Sequence, residues 1–293
     1  MEFQLKDLLN WSQNKNINPI SKRKIKTNGK IYLKLKKYHE LLENNTHGIF
    51  STGPKNEDRV VFQKGRNIFA GVYDGHGGKL TSNFIKQNIV NIYSNIQTNS
   101  ITERLALTYK KLESDLYNYY KSIQGKDMSG STACSVMVTP TTIYVANTGD
   151  SRCILSKEGK AIALTIDHKP NNSVEYKRIQ DNNEKNAVSY TGVYRIGGLA
   201  VSRVFGDFYI KDRYKSVIYN PDIFVAKRNE YQDFLVIASD GLYDVMSNQE
   251  IVNFIHEQFK TTFNLNTVAK KLVYYSIYTK NTMDDVSVII ILL

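Results

Sequence analysis

The chain has 293 residues, 41% of them hydrophobic and 23% charged, and carries a formal net charge of +11. Such material is ordinary for a soluble globular protein, most simply one large domain. No apolar run approaches the roughly 20 residues of a membrane helix, and MEFQLKDLLNW lacks the basic-then-apolar order of a secretory signal, so a cytoplasmic protein with no membrane partner is expected.

Residues 1–46 read as a basic N-terminal leader, with ten Lys/Arg against four Asp/Glu and the run SKRKIK at 21–26. Such a run can mark nuclear import or an acidic partner. No aromatic platform or helix-turn-helix pattern accompanies it, so it reads as solvated surface, and nucleic-acid binding is not expected. The remainder, 47–293, is taken as one domain and a monomer.

GIFSTG, RVVF and NIFAGVYD are short strand candidates punctuated by Gly, Pro and Asn, and they suggest neighbouring antiparallel strands. From about Lys79 to Tyr93 and from about Glu103 to Ile123 the apolar spacing becomes helical, which predicts a packed helix pair. STACSVMVT, TIYVAN, RCILS and KAIALT return to strand pattern and read as an antiparallel meander. A polar run follows from Pro170 to Tyr190, with a short helix around SVEYKRI. FLVIAS is a buried strand, NQEIVNFIHEQF and NLNTVAKKLVYYSIY are helices, and SVIIILL closes the chain as a strand. Strands and helices come in blocks, which favours an α+β layered domain. Cys134 and Cys153 lie in strand-like runs without a CxxC pair and read as core thiols.

Acidic residues recur where strands end. They are Asp74 with Gly75 in VYDG, Asp150 in NTGDS, Asp240 and Asp244 in IASDGLYD, Asp284 and Asp285 in TMDDVS, and the pair Glu57 and Asp58 in NEDR. Each alone is an ordinary turn or cap. Brought to one sheet edge, so many carboxylates repel unless cations sit among them. Hard oxygen ligands without a His or Cys cluster select Mg²⁺ or Mn²⁺. A pair of such ions roughly 3.5–4 Å apart readies a water for attack on phosphorus. His76, two residues after Asp74, is placed to protonate the leaving oxygen.

In order along the chain, NEDR, VYDGHGG, SGSTA, VANTGDSR, LTIDHKP, GGLAVSRVFGD, ASDGLYDV and MDDVSVI resemble the motifs of the metal-dependent protein Ser/Thr phosphatases of type 2C. The resemblance runs from about Gly48 to Leu293. It implies a sandwich of two antiparallel β-sheets flanked by helix pairs, with a metal centre at one end, and phosphoserine or phosphothreonine proteins as substrates. It implies that Asp74 bridges two ions, that Asp240 and Asp284 complete the ligands of one, and that Gly75 lends its carbonyl to the other. Glu57 would hold that ion's water with Asp58 in support, and His76 would be the general acid. Asp150 and Asp244, with Asp240, match the positions of a third ion. The variable flap beside the cleft would be about Asp207 to Pro221.

Two positions depart from the family. The arginine expected four residues before Glu57 is Gly53, which leaves Lys55 or Arg59 to meet the substrate phosphate and implies weaker phosphate capture. Asp285 stands where Asn is common. An active phosphatase and a catalytically weak binding module on the same fold are both consistent with this pattern.

Overall fold

The structure is a computed structural model that describes residues 7, 8, 11, 14–27, 29–44, 46–182, 184, 186–229 and 232–293. Two five-stranded antiparallel sheets face each other. One has the order β1 (His47–Thr52), β15 (Val286–Leu292), β14 (Gln232–Ala238), β8 (Arg152–Lys157), β9 (Lys160–Ala163). The other runs β13 (Asp222–Lys227), β7 (Thr142–Thr148), β6 (Ala133–Val138), β3 (Ile68–Tyr73), β2 (Arg59–Lys64). Helices α2 (Leu80–Asn95) and α3 (Ile101–Ser122) cover the second sheet, and α7 (Asn248–Gln258) and α8 (Leu265–Tyr278) cover the first. The layered α+β sandwich expected from the sequence is therefore what forms.

Residue alternation explains why the central strands are mostly apolar. In β14, Phe234, Val236 and Ala238 pack toward the α7/α8 layer while Leu235 and Ile237 enter the core between the sheets. Successive side chains of a strand point to opposite faces, so a strand covered on both sides keeps a polar residue only where a partner meets it, as the Tyr109 hydroxyl meets Ser135 at 3.0 Å. Cys134 and Cys153 are free, buried thiols in the inter-sheet core.

Two expectations about pairing are corrected. β1 does not neighbour β2 but pairs with β15, the last strand, in the opposite sheet. The predicted meander is divided: β6 pairs with β7, whereas β8 pairs with β9 and β14. Gly149, at φ +100°, lets the TGDS corner carry the chain from one sheet to the other. That transfer puts Asp150 at an end of the sandwich.

The N-terminal residues contribute more than charge. Leu8, Trp11 and Leu35, the last in α1 (Lys30–Asn44), are fully buried in the same apolar cluster as Ile255, Val268 and Leu272 of α7 and α8. The Trp11 ring stands edge-on to Tyr32 at 5.4 Å, and its indole N–H donates to the Lys15 carbonyl at 3.0 Å. The basic run at 22–24 stays exposed.

The segment after β9 holds α4 (Ser173–Asp181), the hairpin β10 (Val188–Tyr190) with β11 (Tyr194–Ile196), and α5 (Phe208–Lys211). It has its own apolar cluster, including Ile179, Ile196, Val204 and Val217. Glu175 ties it down: its carboxylate accepts from Arg203 Nη2 at 2.6 Å, Arg178 Nη2 at 2.7 Å and the Ser202 hydroxyl at 2.6 Å. Arg203 continues to Asp222 of β13 at 2.7 Å.

Burial disfavours the Glu175 charge, but Arg203, Arg178 and Ser202 outweigh it and bring the carboxyl down to about 2. A depressed carboxyl stabilises the fold fully above its unfolded value and loses that contribution as pH falls through the folded one. The contribution of about 3 kcal/mol is thus expected at neutral pH and lost between about pH 4.5 and pH 2. Glu175→Gln should lower the urea midpoint at pH 7 by an equivalent of about 3 kcal/mol, because it strands a buried guanidinium. The difference from the parent should shrink as the pH is lowered through that window.

Candidate active site

A cavity of about 710 Å³ is lined by Asp74, Gly75, His76, Asp150, Asp240, Asp244 and Asp284, with Lys55, Thr132 and Lys169 among them. Four separate strand ends deliver these carboxylates. Asp74 follows β3 and precedes the short β4 (Gly75–His76). Thr132 clasps it, donating its N–H to the Asp74 carbonyl at 2.8 Å and accepting the Asp74 N–H on its hydroxyl at 3.2 Å. Asp240 opens α6 (Asp240–Tyr243) directly after β14, and the Asp244 N–H closes that turn onto the Asp240 carbonyl at 2.8 Å. Asp284 leads into β15, and Asp150 sits at the sheet-crossing corner.

Electrostatics follow from that crowding. Burial first, then the charges of Asp58, Asp240 and Asp150, raises the Asp74 carboxyl well above the usual range. Burial, Asp150 and Asp244 likewise push Asp240 up. Two ammonium groups answer the excess: Lys55 Nζ lies 2.8 Å from each oxygen of Asp284, and Lys169 Nζ pairs with Asp150. Burial opposes the Lys169 charge, but Asp150 prevails and its pKa rises. Among the described residues no group of three or more His, Cys, Asp or Glu side chains is arranged to hold an ion as it stands.

The glycines of VYDGHGG have separate tasks. A Cβ on Gly75 would lie 2.6 Å from the Glu57 carbonyl and 2.8 Å from the Ser82 hydroxyl, so the NEDR loop and α2 close over it only because it is bare. Gly77 and Gly78 take φ +64° and +125°, which turns the Gly78 N–H onto Glu57 Oε1 at 2.7 Å. Glu57 is therefore fixed beside the cavity without being among its lining residues. Asp58 is buried with neither carboxylate oxygen in a hydrogen bond of ordinary geometry.

Asp285 organises the loop that carries these acids. Its Oδ1 accepts the Lys55 N–H at 2.9 Å, and its Oδ2 accepts those of Glu57 at 2.6 Å and Asp58 at 3.4 Å. Burial works against its charge, yet these backbone donors hold its pKa below the ordinary value. A carboxylate serves better than an amide here because both oxygens are purely acceptors. A Cβ at Gly53 would collide with Oδ1 and Cα of Asp285, so no arginine is seated at 53 without displacing this anchor. Gly53 and Asp285 are thus packed directly against each other.

Two sequence expectations change. Arg59, named with Lys55 for substrate phosphate, is not among the lining residues; its guanidinium binds the carbonyls of Asn56 at 3.0 Å and Asp58 at 2.6 Å, and its Nε donates to Asn83. The flap beside the cleft is not 207–221. Tyr190, Val193 to Arg195 and Gly198 to Val201 line the cavity instead, because the β10/β11 hairpin projects there while Phe208 of α5 packs on Tyr117 and Tyr120.

Asp207 was missed as a site residue. Its Oδ2 lies 2.7 Å from His76 Nε2, and its Oδ1 is buried without a partner. Burial opposes a charged imidazole, but Asp207, Asp150 and Glu57 together raise the His76 pKa. The pair fits because Gly130 has no side chain: a Cβ there would strike Asp207 and stand 2.5 Å from His76 Nε2. Lys169, within LTIDHKP, is likewise a site residue that the sequence does not single out. Nothing local in the sequence signals either contact, since the partners are 131 and 19 positions apart.

The sequence profile of the protein phosphatase 2C family matches residues 39–285. The chain is 36% identical over 231 residues to a rice protein named "Probable protein phosphatase 2C 7", covering 77% of this chain and 57% of that one. It is 32% identical over 248 residues to mouse "Protein phosphatase 1B", covering 76% and 61% respectively, so it spans less than two thirds of either relative. A crystal structure of serine-threonine phosphatase 2C from Toxoplasma gondii shares the fold at a TM-score of 0.69 and 21% identity, over 84% of this chain and 94% of that one. With sequence profile, relatives and sandwich in agreement, the chain belongs to the protein phosphatase 2C family.

Proposed function

We propose that this chain hydrolyses phosphoserine and phosphothreonine in phosphoproteins with the help of Mg²⁺ or Mn²⁺. The observation that carries the reading is the convergence of Asp74, Asp150, Asp240, Asp244 and Asp284 with His76 in one cavity. The donor set fits a hard divalent cation: it is all oxygen, in excess over its ammonium partners, and backed by buried Asp58, whose carboxylate oxygens make no hydrogen bond of ordinary geometry. Asp74, Asp240, Asp284 and the Gly75 carbonyl would hold two ions, with Glu57, supported by Asp58 and Asp285, on the second. Asp150 and Asp244 would serve a third.

When bound, the cations supply an acidified water and neutralise charge on the phosphoryl group. The chain's own groups do the rest. His76, whose charged form Asp207 favours through Nε2, gives the proton of its other ring nitrogen to the departing serine or threonine oxygen. Lys55 at the cavity is the ammonium that meets the phosphate in place of an arginine, as a point charge without a fork. The Tyr190 to Val201 wall, which lines the cavity, would contact the residues around the phosphorylated side chain.

A phosphothreonine peptide incubated with the protein should release phosphate in Mn²⁺ and cease to do so after chelation. Release that survives chelation would remove the metal reading. No release with Mn²⁺ or Mg²⁺, with peptide still bound, would favour the binding module that Gly53 suggests.

A further inference from the structure

Lys55 is held at both ends by consecutive residues. Its backbone N–H donates to Asp285 Oδ1 at 2.9 Å, and its ammonium lies 2.8 Å from Oδ1 and 2.8 Å from Oδ2 of Asp284. The main chain is therefore pinned while the side chain, 49% exposed, rests on a carboxylate of the cavity. Asp74 and Asp240 also favour the charge on Lys55. Lys169 differs, since its side chain is less exposed and its partner is Asp150.

An ammonium that occupies both oxygens of a carboxylate takes the lone pairs a cation would use. A divalent ion and an ammonium on one carboxylate also repel each other at short range, where water screens incompletely. The four-carbon stem lets the ammonium swing outward without moving the backbone. We infer that Lys55 is a resident counter-cation of Asp284 that an incoming divalent metal displaces, so that the Lys55 charge sets how tightly the site takes its metal. This rests on the proposed reading of Asp284 as a metal ligand. Displacement leaves the ammonium tethered at the cavity, where it meets an arriving phosphate. Lys55 thus answers Asp284 before metal binds and an anion afterwards.

Calorimetric titration of MnCl₂ alone into the metal-free full chain tests this without any turnover. Lys55→Met should bind Mn²⁺ about tenfold more tightly than the parent, and Lys55→Arg, which keeps the charge, should not. In an Asp284→Asn background the gain from Lys55→Met should shrink below about twofold, because the coupling requires both partners. Thermal melts of the same samples establish that each variant is folded. Unchanged or weaker Mn²⁺ binding by Lys55→Met, or an equal gain in the Asp284→Asn background, would overturn the inference and leave the metal centre intact. Asp284→Asn that binds Mn²⁺ as tightly as the parent would overturn the metal-ligand reading of Asp284 and the inference with it.

Discussion

Asp74→Asn is expected to reduce Mn²⁺-dependent release of phosphate from a phosphothreonine peptide by more than about 100-fold, the most that loss of a supporting partner around a metal ordinarily costs. The same substitution should raise the melting temperature in a chelating buffer. Asp74 is half-buried beside Asp58, Asp240 and Asp150, and each of these charges adds to the cost of keeping it ionised. An amide removes that repulsion and keeps the shape. Activity falling while stability rises is the signature of a site that stores electrostatic strain for its ligand. A variant that loses both would be a folding defect, and one that keeps its activity would place the chemistry elsewhere. Asp240→Asn should behave the same way, since burial and the charges of Asp150 and Asp244 act on it in the same direction.

Trp11→Ala should destabilise the protein by about 3–5 kcal/mol. That is a large share of the roughly 5–15 kcal/mol by which a domain is ordinarily stable. Trp11 is fully buried against the α7/α8 layer with Leu8 and Leu35. Urea unfolding followed by far-ultraviolet circular dichroism measures the loss. Trp11 is also the single tryptophan of the chain, so its fluorescence in the parent reports directly on release of this segment. Removal of residues 1–46 should cost still more. Had those residues been only a charged leader, truncation at 46 would leave the midpoint unchanged.

The α7/α8 pair lies between Asp244 and Asp284 in the chain, and both effects come from one design. The helix layers and the inter-sheet core hold the strands rigid, and the carboxylates sit only at strand ends, where backbone leaves the core and polar groups can face the cavity. Strands buried on both faces have no room for charge along their length. Their ends are the only places where the framework can present acids without burying them in the apolar core.

Sequence by itself determined the elements and the acids. Uninterrupted apolar runs such as FLVIAS and SVIIILL became central strands, and the helical spacing around Leu105, Leu112 and Leu116 became α3, because the spacing of apolar residues records which faces of an element are covered. The ordered motifs named Asp74, Asp240 and Asp284, and those residues do line one cavity. Tertiary structure alone decided which side chains answer those acids. That His76 leans on Asp207, that Lys55 rests on Asp284, and that Asp285 anchors the 55–58 loop against a bare Gly53 all depend on how two sheets and their loops register in space. It also decided that the basic leader buries Trp11 and that the hairpin after Val188, not the stretch after Asp207, walls the cavity. Local pattern records how far each residue is from water, whereas pairing across a cavity is fixed only when distant segments dock.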